Sequence, residues 1–455
     1  MTTESANLPD DQRRRQQRAW YFYDWANSAF STTVVTVFLG PYLTTLAEDA
    51  AGADGRVGFI LWDVRPGTYF SLLVSFSVVL QVLVLPVTGA IADRSGHRRQ
   101  LLATFAAIGS VATMTMVVLT DGRFVLGGFL LVVANLAFGM SVVVYNAFLP
   151  QIATADERDR VSSHGWALGY LGGAVLLVVN LALYLGHDAF GLSEREAVRI
   201  SLLSAGVWWA VFTIIPVRGL RSLPRPDNSD PEPAPSRGGG VLTSGFRQLG
   251  GTLRDIRRYP QTLLFLFAYL LYNDGIQTVI ALAAVYIEKE LLLDTSVSIS
   301  VILLVQIVAF AGALALGRLA ARWGAKRVIL HSLVVWGAIL VVAFYLPQSQ
   351  AMGVYGIAVA IGFVLGGSQA LSRSLYSQLI PRSREAEYFA FYEISERGTS
   401  WLGTLTFALT YEVSGSYRVA IVVLVAFFIV GGLLLHRVQV GVAIDAVGNL
   451  RPAVL

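Results

Sequence analysis

The 455-residue sequence contains no cysteine, only two lysines, Lys289 and Lys326, and few charges of any kind, 14% of the chain. Absence of cysteine excludes a disulfide scaffold, a thiolate zinc site, an iron–sulfur cluster and a cysteine nucleophile. Neither lysine follows a glycine, so there is no phosphate-cradling Gly-x4-Gly-Lys-Ser/Thr loop and no ATP hydrolysis of that kind. His-Glu-x2-His and Gly-x-Ser-x-Gly are missing too, which argues against the common membrane hydrolases. The five histidines, His97, His164, His187, His331 and His436, are scattered, so no metal or other cofactor is expected and the chain does not read as an enzyme. Soluble proteins carry about 25% charged residues. What fills the space here is apolar: 55% of the residues are hydrophobic, and the mean hydropathy is +0.61.

The apolar residues fall into twelve runs, 19–46, 67–92, 99–120, 123–150, 161–186, 197–217, 260–288, 294–320, 326–346, 350–379, 387–412 and 416–437. Each is long enough for a helix to cross a hydrocarbon core of about 30 Å. None shows the two-residue alternation of a β-barrel strand. The first run is too long for a signal-peptide core and lacks a clear cleavage site. The expected fold is therefore an all-α membrane protein of twelve transmembrane helices. It divides as a tail 1–18, a six-helix bundle 19–217, a linker 218–259, a second six-helix bundle 260–437 and a tail 438–455. The linker's first part is rich in Pro, Gly and charge. Its second part, 241–258, has apolar residues at helical spacing beside four arginines; it suits an amphipathic helix on a lipid surface or an ordinary solvated helix.

Arginine and lysine set the orientation of a membrane protein. With the N-terminus in the cytoplasm, 25 of these cations fall in inside segments and seven in outside segments. Both termini are thus expected in the cytoplasm, in the cytoplasmic membrane. The basic residues follow topology, so no nucleic-acid partner is expected, and the chain reads as a monomer in the bilayer.

The two halves resemble each other. GAIADRSGHRR at 89–99 aligns with GRLAARWGAKR at 317–327. Tyr145-x3-Leu149-Pro150 aligns with Tyr376-x3-Ile380-Pro381, and Tyr23-x3-Asn27-x4-Thr32 with Tyr269-x3-Asn273-x4-Thr278. Three blocks in one order imply a duplicated six-helix unit. The copies would be related by an axis along the membrane normal, with a cavity between them. Asp93, with Arg94, Arg98 and Arg99, is placed to pair and to cap a neighbouring helix N-terminus, a latch on the cytoplasmic side. Ala321 stands where the second copy would have its acid, so the latch is expected from the first copy.

Block, helix count and linker together resemble the major facilitator superfamily. YDWANSAFSTT at 23–33, YNAFLPQIA at 145–153, SSHGWALGYLGG at 162–173, YLLYNDGIQTVI at 269–280, GGSQALSRSLYSQLIP at 366–381 and REAEYFAFYEISERGTSWLG at 384–403 are similar to its vacuole-effluxer family. That family includes autophagy-linked vacuolar amino-acid effluxers and bacterial transporters of unassigned substrate. The resemblance implies a secondary active transporter of a small polar solute, amino acids first.

Ionisable side chains within membrane helices are costly and are functional candidates by default. Asp24 and Asn27 lie on the first helix, and Asn273, Asp274 and Gln277 on the seventh. Asn273 and Gln277 share a face. On the eleventh, Glu393 and Arg397 have i,i+4 spacing for an ion pair. Glu396 has no partner on its own helix, which suits a proton carrier. Arg373 on the tenth can pair with either glutamate or hold a substrate carboxylate. Asn146 and Gln369 are further cavity candidates. The expected solute and proton groups are Asp24, Asn27, Asn146, Asn273, Asp274, Gln277, Gln369 and Glu396. The expected gating groups are Asp93, Arg94, Arg98, Arg373, Glu393 and Arg397. A purely structural role in hydrogen-bonding packed helices competes with each. Export of amphiphiles, through a more apolar cavity, and a receptor of the same shape without flux are the rival functions.

Overall fold

The computed structural model describes residues 9–52, 54–59, 62–120, 122–220, 256–382, 384–397 and 400–455. Eleven helices among these are long and apolar enough to span a membrane. In chain order the elements are α1 (Asp10–Asp49), a two-stranded antiparallel hairpin β1 (Val57–Phe59) and β2 (Trp62–Val64), α2 (Pro66–Ser95), α3 (Arg98–Thr115), α4 (Phe124–Asn146), α5 (Arg158–Leu185) and α6 (Glu194–Gly219). After the linker come α7 (Pro260–Val285), α8 (Thr295–Trp323), α9 (Ala325–Tyr345), α10 (Ala351–Gln378), α11 (Glu385–Arg397), α12 (Ser400–Ser414), α13 (Tyr417–Arg437) and α14 (Val440–Ala446).

The eleventh expected span, 387–412, is described as two helical segments, α11 and α12, on either side of residues 398–399, which lie outside the described residues. The two segments differ in charge: α11 carries five charged residues among thirteen and α12 carries Glu412 alone. Helix α1 begins at Asp10 rather than near 19. The hairpin is the departure from an all-helical chain, and it sits in the loop that makes the first half longer than the second. The expected amphipathic helix at 241–258 lies almost wholly outside the described residues.

Helix α1 changes its winding at Phe30–Phe38, a π-helical stretch. The Thr36 hydroxyl donates to the carbonyl of Ser31, five residues back, at 2.8 Å. Such stretches are rare and concentrate at functional sites; here it turns Ser31, Thr32 and Thr36 toward one cavity.

The two halves meet most closely at one end. Gly89 of α2 lies where a Cβ would sit 2.5 Å from the backbone oxygen of Ala386 on α11. Its repeat counterpart, Gly317 of α8, would bring a Cβ within 2.4 Å of the Ser163 hydroxyl on α5. The duplicated glycines thus let α2 approach α11 and α8 approach α5, the same seam twice. Gly96 ends α2 in the left-handed conformation, φ 62°, which only glycine adopts without strain. The turn returns the chain at once into α3 and sets Arg98 beside Asp93.

Candidate functional site: the seam between the halves

At the close end the seam is polar and buried. Asp93, 4% exposed, accepts the backbone N–H groups of Ala386 (3.1 Å) and Glu387 (2.9 Å) at the first turn of α11. A carboxylate there answers both the unpaired amides and the helix dipole. Arg98, equally buried, bonds Asp93 and reaches across to Glu385 at 2.7 Å. Arg94 is exposed. From α5, Arg158 donates to the carbonyl of Ser377 at 2.7 Å, Ser162 to that of Ala370 at 2.7 Å, and Asp159 accepts the hydroxyl of Ser374. The tail following α14 also crosses the seam: the Ala453 N–H donates to Asp156 at 2.6 Å.

Deeper in, a cavity of about 350 Å³ lies between α1, α4, α5, α7, α8, α10 and α11. A second cleft of about 640 Å³, sharing Thr36 and Ile302 with the first, continues it toward the end opposite the Asp93 cluster. The molecule is thus shut at the Asp93 end and open at the other.

The floor of the cavity is one connected network. Arg373, 2% exposed, holds Asp24 of the other half at 3.0 Å and donates to the hydroxyl and the carbonyl of Ser162, each at 3.0 Å. Its guanidinium lies over the rings of Trp20 (4.8 Å), Trp166 (5.3 Å) and Tyr145 (5.6 Å). Tyr145 also donates to Asp24 at 2.8 Å. Asn146 accepts from Arg373 at 3.3 Å and donates to Glu393 at 2.8 Å. Glu393, fully buried, is held by Arg397 at 3.1 Å, and Arg397 lies over Phe138 at 4.4 Å. Asn146 therefore joins two ion pairs, one across the halves and one within α11. Glu396 stands beside them with a single side-chain hydrogen bond among the described residues, from Tyr269 at 3.2 Å. Three carboxylates, Asp24, Glu393 and Glu396, and two guanidiniums, Arg373 and Arg397, face this one space.

Of the other expected residues, Asn27, Gln277 and Gln369 line the cavity. Asn273 and Asp274 do not. Asn273 donates to the backbone carbonyl of Glu396 at 3.1 Å, and Asp274, 1% exposed, accepts the N–H of Gly403 at 2.6 Å on α12. Asp24 and Asp274 thus face different surroundings. The polar residues of α7, Asn273, Asp274, Gln277 and Thr278, fall on adjoining faces, so their spacing alone does not single out Gln277 as the one that lines the cavity. Arg373 departs from expectation as well: its partner is Asp24, not a glutamate of α11. Sequence reasoning passed over Gln306, which donates to Thr32 at 3.0 Å across the halves, and the Asp159–Ser374 and Arg158–Ser377 contacts. A charged pair at the first turn of an otherwise apolar helix was the available signal for the last two.

An all-α membrane chain whose two halves enclose a cavity with charged groups on its floor, sealed at one end, is a membrane transporter of the major facilitator superfamily. Solved members superpose over nearly the whole chain. A fucose transporter in the outward conformation, FucP, covers 93% of this chain and 98% of its own, with TM-score 0.65 at 11% identity. The proton:xylose symporter XylE covers 94% of each, with TM-score 0.67 at 13% identity. The chain belongs to the vacuole effluxer Atg22-like family, whose model matches residues 12–447. Relatives include an uncharacterized MFS-type transporter, YxiO, of Bacillus subtilis, 27% identical over 92% of this chain and 94% of that protein. Autophagy-related protein 22 of Yarrowia lipolytica is 28% identical over 78% of this chain and 72% of its own length.

Proposed function

We propose that this transporter moves amino acids, coupled to protons, by rocking its two halves about the central cavity. The observation that carries this reading is the connected floor of the cavity, which presents guanidiniums and carboxylates together. An α-amino acid brings one charge of each sign. Its carboxylate suits Arg373 or Arg397, both forks for planar anions. Its ammonium suits Asp24, which a solute carboxylate at Arg373 displaces.

Glu396 is the proposed proton group. Protonating Asp24 would leave Arg373 facing no carboxylate at its closest contact, and protonating Glu393 would do the same to Arg397. Breaking a buried pair that way costs about 3–5 kcal/mol. Protonating Glu396 strands no cation. Binding a solute carboxylate at Arg373 competes with Asp24, and Asp24 is the tie from the first half to α10. Loss of that tie loosens the seam, and release of the Asp93 cap from α11 opens the far end. The arginine distribution supports a cytoplasmic Asp93 end with both termini on that side, and the proposed location is the cytoplasmic membrane. The described state is then outward-facing. No covalent step is involved.

A second reading, export of amphiphiles, draws on the α7, α8 and α10 side of the same cavity, where Ile280, Ile302, Val305, Ile361 and Leu365 form an apolar wall. Flux of labelled amino acids into or out of proteoliposomes under an imposed pH gradient separates the two. Amino-acid flux that follows the gradient, and loses that dependence in Glu396→Gln, is expected. Flux indifferent to the gradient overturns the coupling, and flux of amphiphiles alone overturns the substrate class.

A further inference from the structure

The second copy of the repeated loop has lost its acid. Around that position the structure has a pocket of about 280 Å³ at the seam, at the same end as the Asp93 cluster. Its wall comes from both halves: Arg160, Ser163 and His164 of α5, and Leu314, Arg318 and Arg322 of α8, with Ala321 at its edge. Among the described residues, no carboxylate lines it. Arg160 is turned partly toward Glu157 at 3.3 Å. The His164 Nδ1 bonds the carbonyl of Arg160, and its ring stacks on Tyr21 at 5.5 Å. Arg318 and Arg322 are exposed and make no hydrogen bond or ion pair among the described residues. At the corresponding place in the first half, Asp93 answers Arg98. The counterpart of Arg98 is Lys326, which donates to the carbonyls of His436 and Val438; beside the pocket Arg322 repeats Arg94, Arg318 and Arg160 add two further cations, and the acid is missing.

The surfaces leading to the pocket are apolar. On α8, Ile307, Ala311 and Leu314 precede Arg318 and Arg322 at spacings of three and four residues, one face of the helix. On α5, Val179, Val175 and Leu171 run up to His164 and Arg160 in the same way. Val175, Val179 and Ile307 are exposed. Two apolar tracks, one per half, converge and become basic at the same level. That is the profile of an anionic lipid, tails along the tracks and phosphate between the arginines. Basic pockets between transmembrane helices are suited to acidic headgroups.

We propose that this pocket binds the phosphodiester headgroup of an anionic phospholipid, which takes the place of the carboxylate that Ala321 lacks. The lipid phosphate ties Arg160 of the first half to Arg318 and Arg322 of the second and helps hold this end shut. A free phosphate offers the same anion without tails, and the apolar tracks favour the lipid.

The test is native mass spectrometry of the intact chain released from nanodiscs of phosphatidylcholine alone or of an equimolar phosphatidylcholine–phosphatidylglycerol mixture. A single phosphatidylglycerol retained per chain, not displaced by inorganic phosphate, is the expected result. Each arginine near an anionic surface contributes about fivefold to affinity, so Arg318→Gln with Arg322→Gln weakens retention by about thirtyfold. Ala321→Asp, which restores an internal acid, weakens it as well. Both changes lie at exposed positions, so folding is preserved, and a melting curve checks this. Unchanged retention in both variants overturns the site. Displacement of the lipid by inorganic phosphate at equal concentration overturns the lipid and makes the pocket a soluble-anion site.

Discussion

Replacing Asp93 with Asn should tip the molecule from one state to the other. Closing the Asp93 end creates three contacts between halves at this point: two α11 amides on Asp93, at 3.1 and 2.9 Å, and Arg98 on Glu385 at 2.7 Å. The Asp93–Arg98 bond lies within one half and survives opening. Hydrogen bonds to a charged group contribute about 1.5–3 kcal/mol each. Asparagine keeps one acceptor oxygen and no charge, so the closed state loses one such bond and the charge on the other. A loss of about 2–3 kcal/mol corresponds to a shift of about 30- to 150-fold in the equilibrium between the two states. The chain has no cysteine, so spin labels can be attached at introduced cysteines only. Gln100 and Arg327, both exposed, report on the Asp93 end across the halves. Leu185 and Met352, 75% and 83% exposed, report on the other. Electron–electron distances in Asp93→Asn should lengthen between the first pair and shorten between the second. Distributions that match the parent, or lengthening at both ends, would refute the reasoning.

Gly89→Ala drives a methyl into the α11 backbone, 2.5 Å from the Ala386 oxygen. Overpacking of this kind costs about 1–3 kcal/mol, and it falls on the closed state alone, so the same label pairs should report the same shift. Gly109→Ala is the contrasting case. Its methyl meets the ring of Trp209 at 2.2 Å, within one half, so the melting temperature should fall while the distances stay as they are. Arg373→Lys keeps the charge but cannot span Asp24, Ser162 and Asn146 together. It loses at least two hydrogen bonds, about 2–3 kcal/mol, and amino-acid flux should drop steeply with the protein still folded by circular dichroism.

Hydropathy made the spans legible because a helix that crosses the hydrocarbon core needs about 20 predominantly apolar residues, whatever its neighbours. Glu393, Glu396 and Arg397 stood out in the eleventh run because charges within a membrane span are costly and few. The cap on α11 was legible from Asp93 because a carboxylate next to arginines at a helix end has few uses. Its particular amides, 293 and 294 residues away in sequence, were not. The same holds for Arg373. Local spacing offered it Glu393 and Glu396, but the closing of the two halves brought Asp24 from 349 residues away. Glu393 and Arg397, on one helix, needed no such folding and could be paired by spacing alone.

Counterflow in proteoliposomes without any imposed gradient tests most directly that the two halves carry an amino acid across. Preloaded unlabelled amino acid should draw labelled amino acid inward in exchange, and Arg373→Lys should slow that exchange. Binding of the amino acid to the purified chain with no exchange would contradict the account, leaving a receptor of transporter shape.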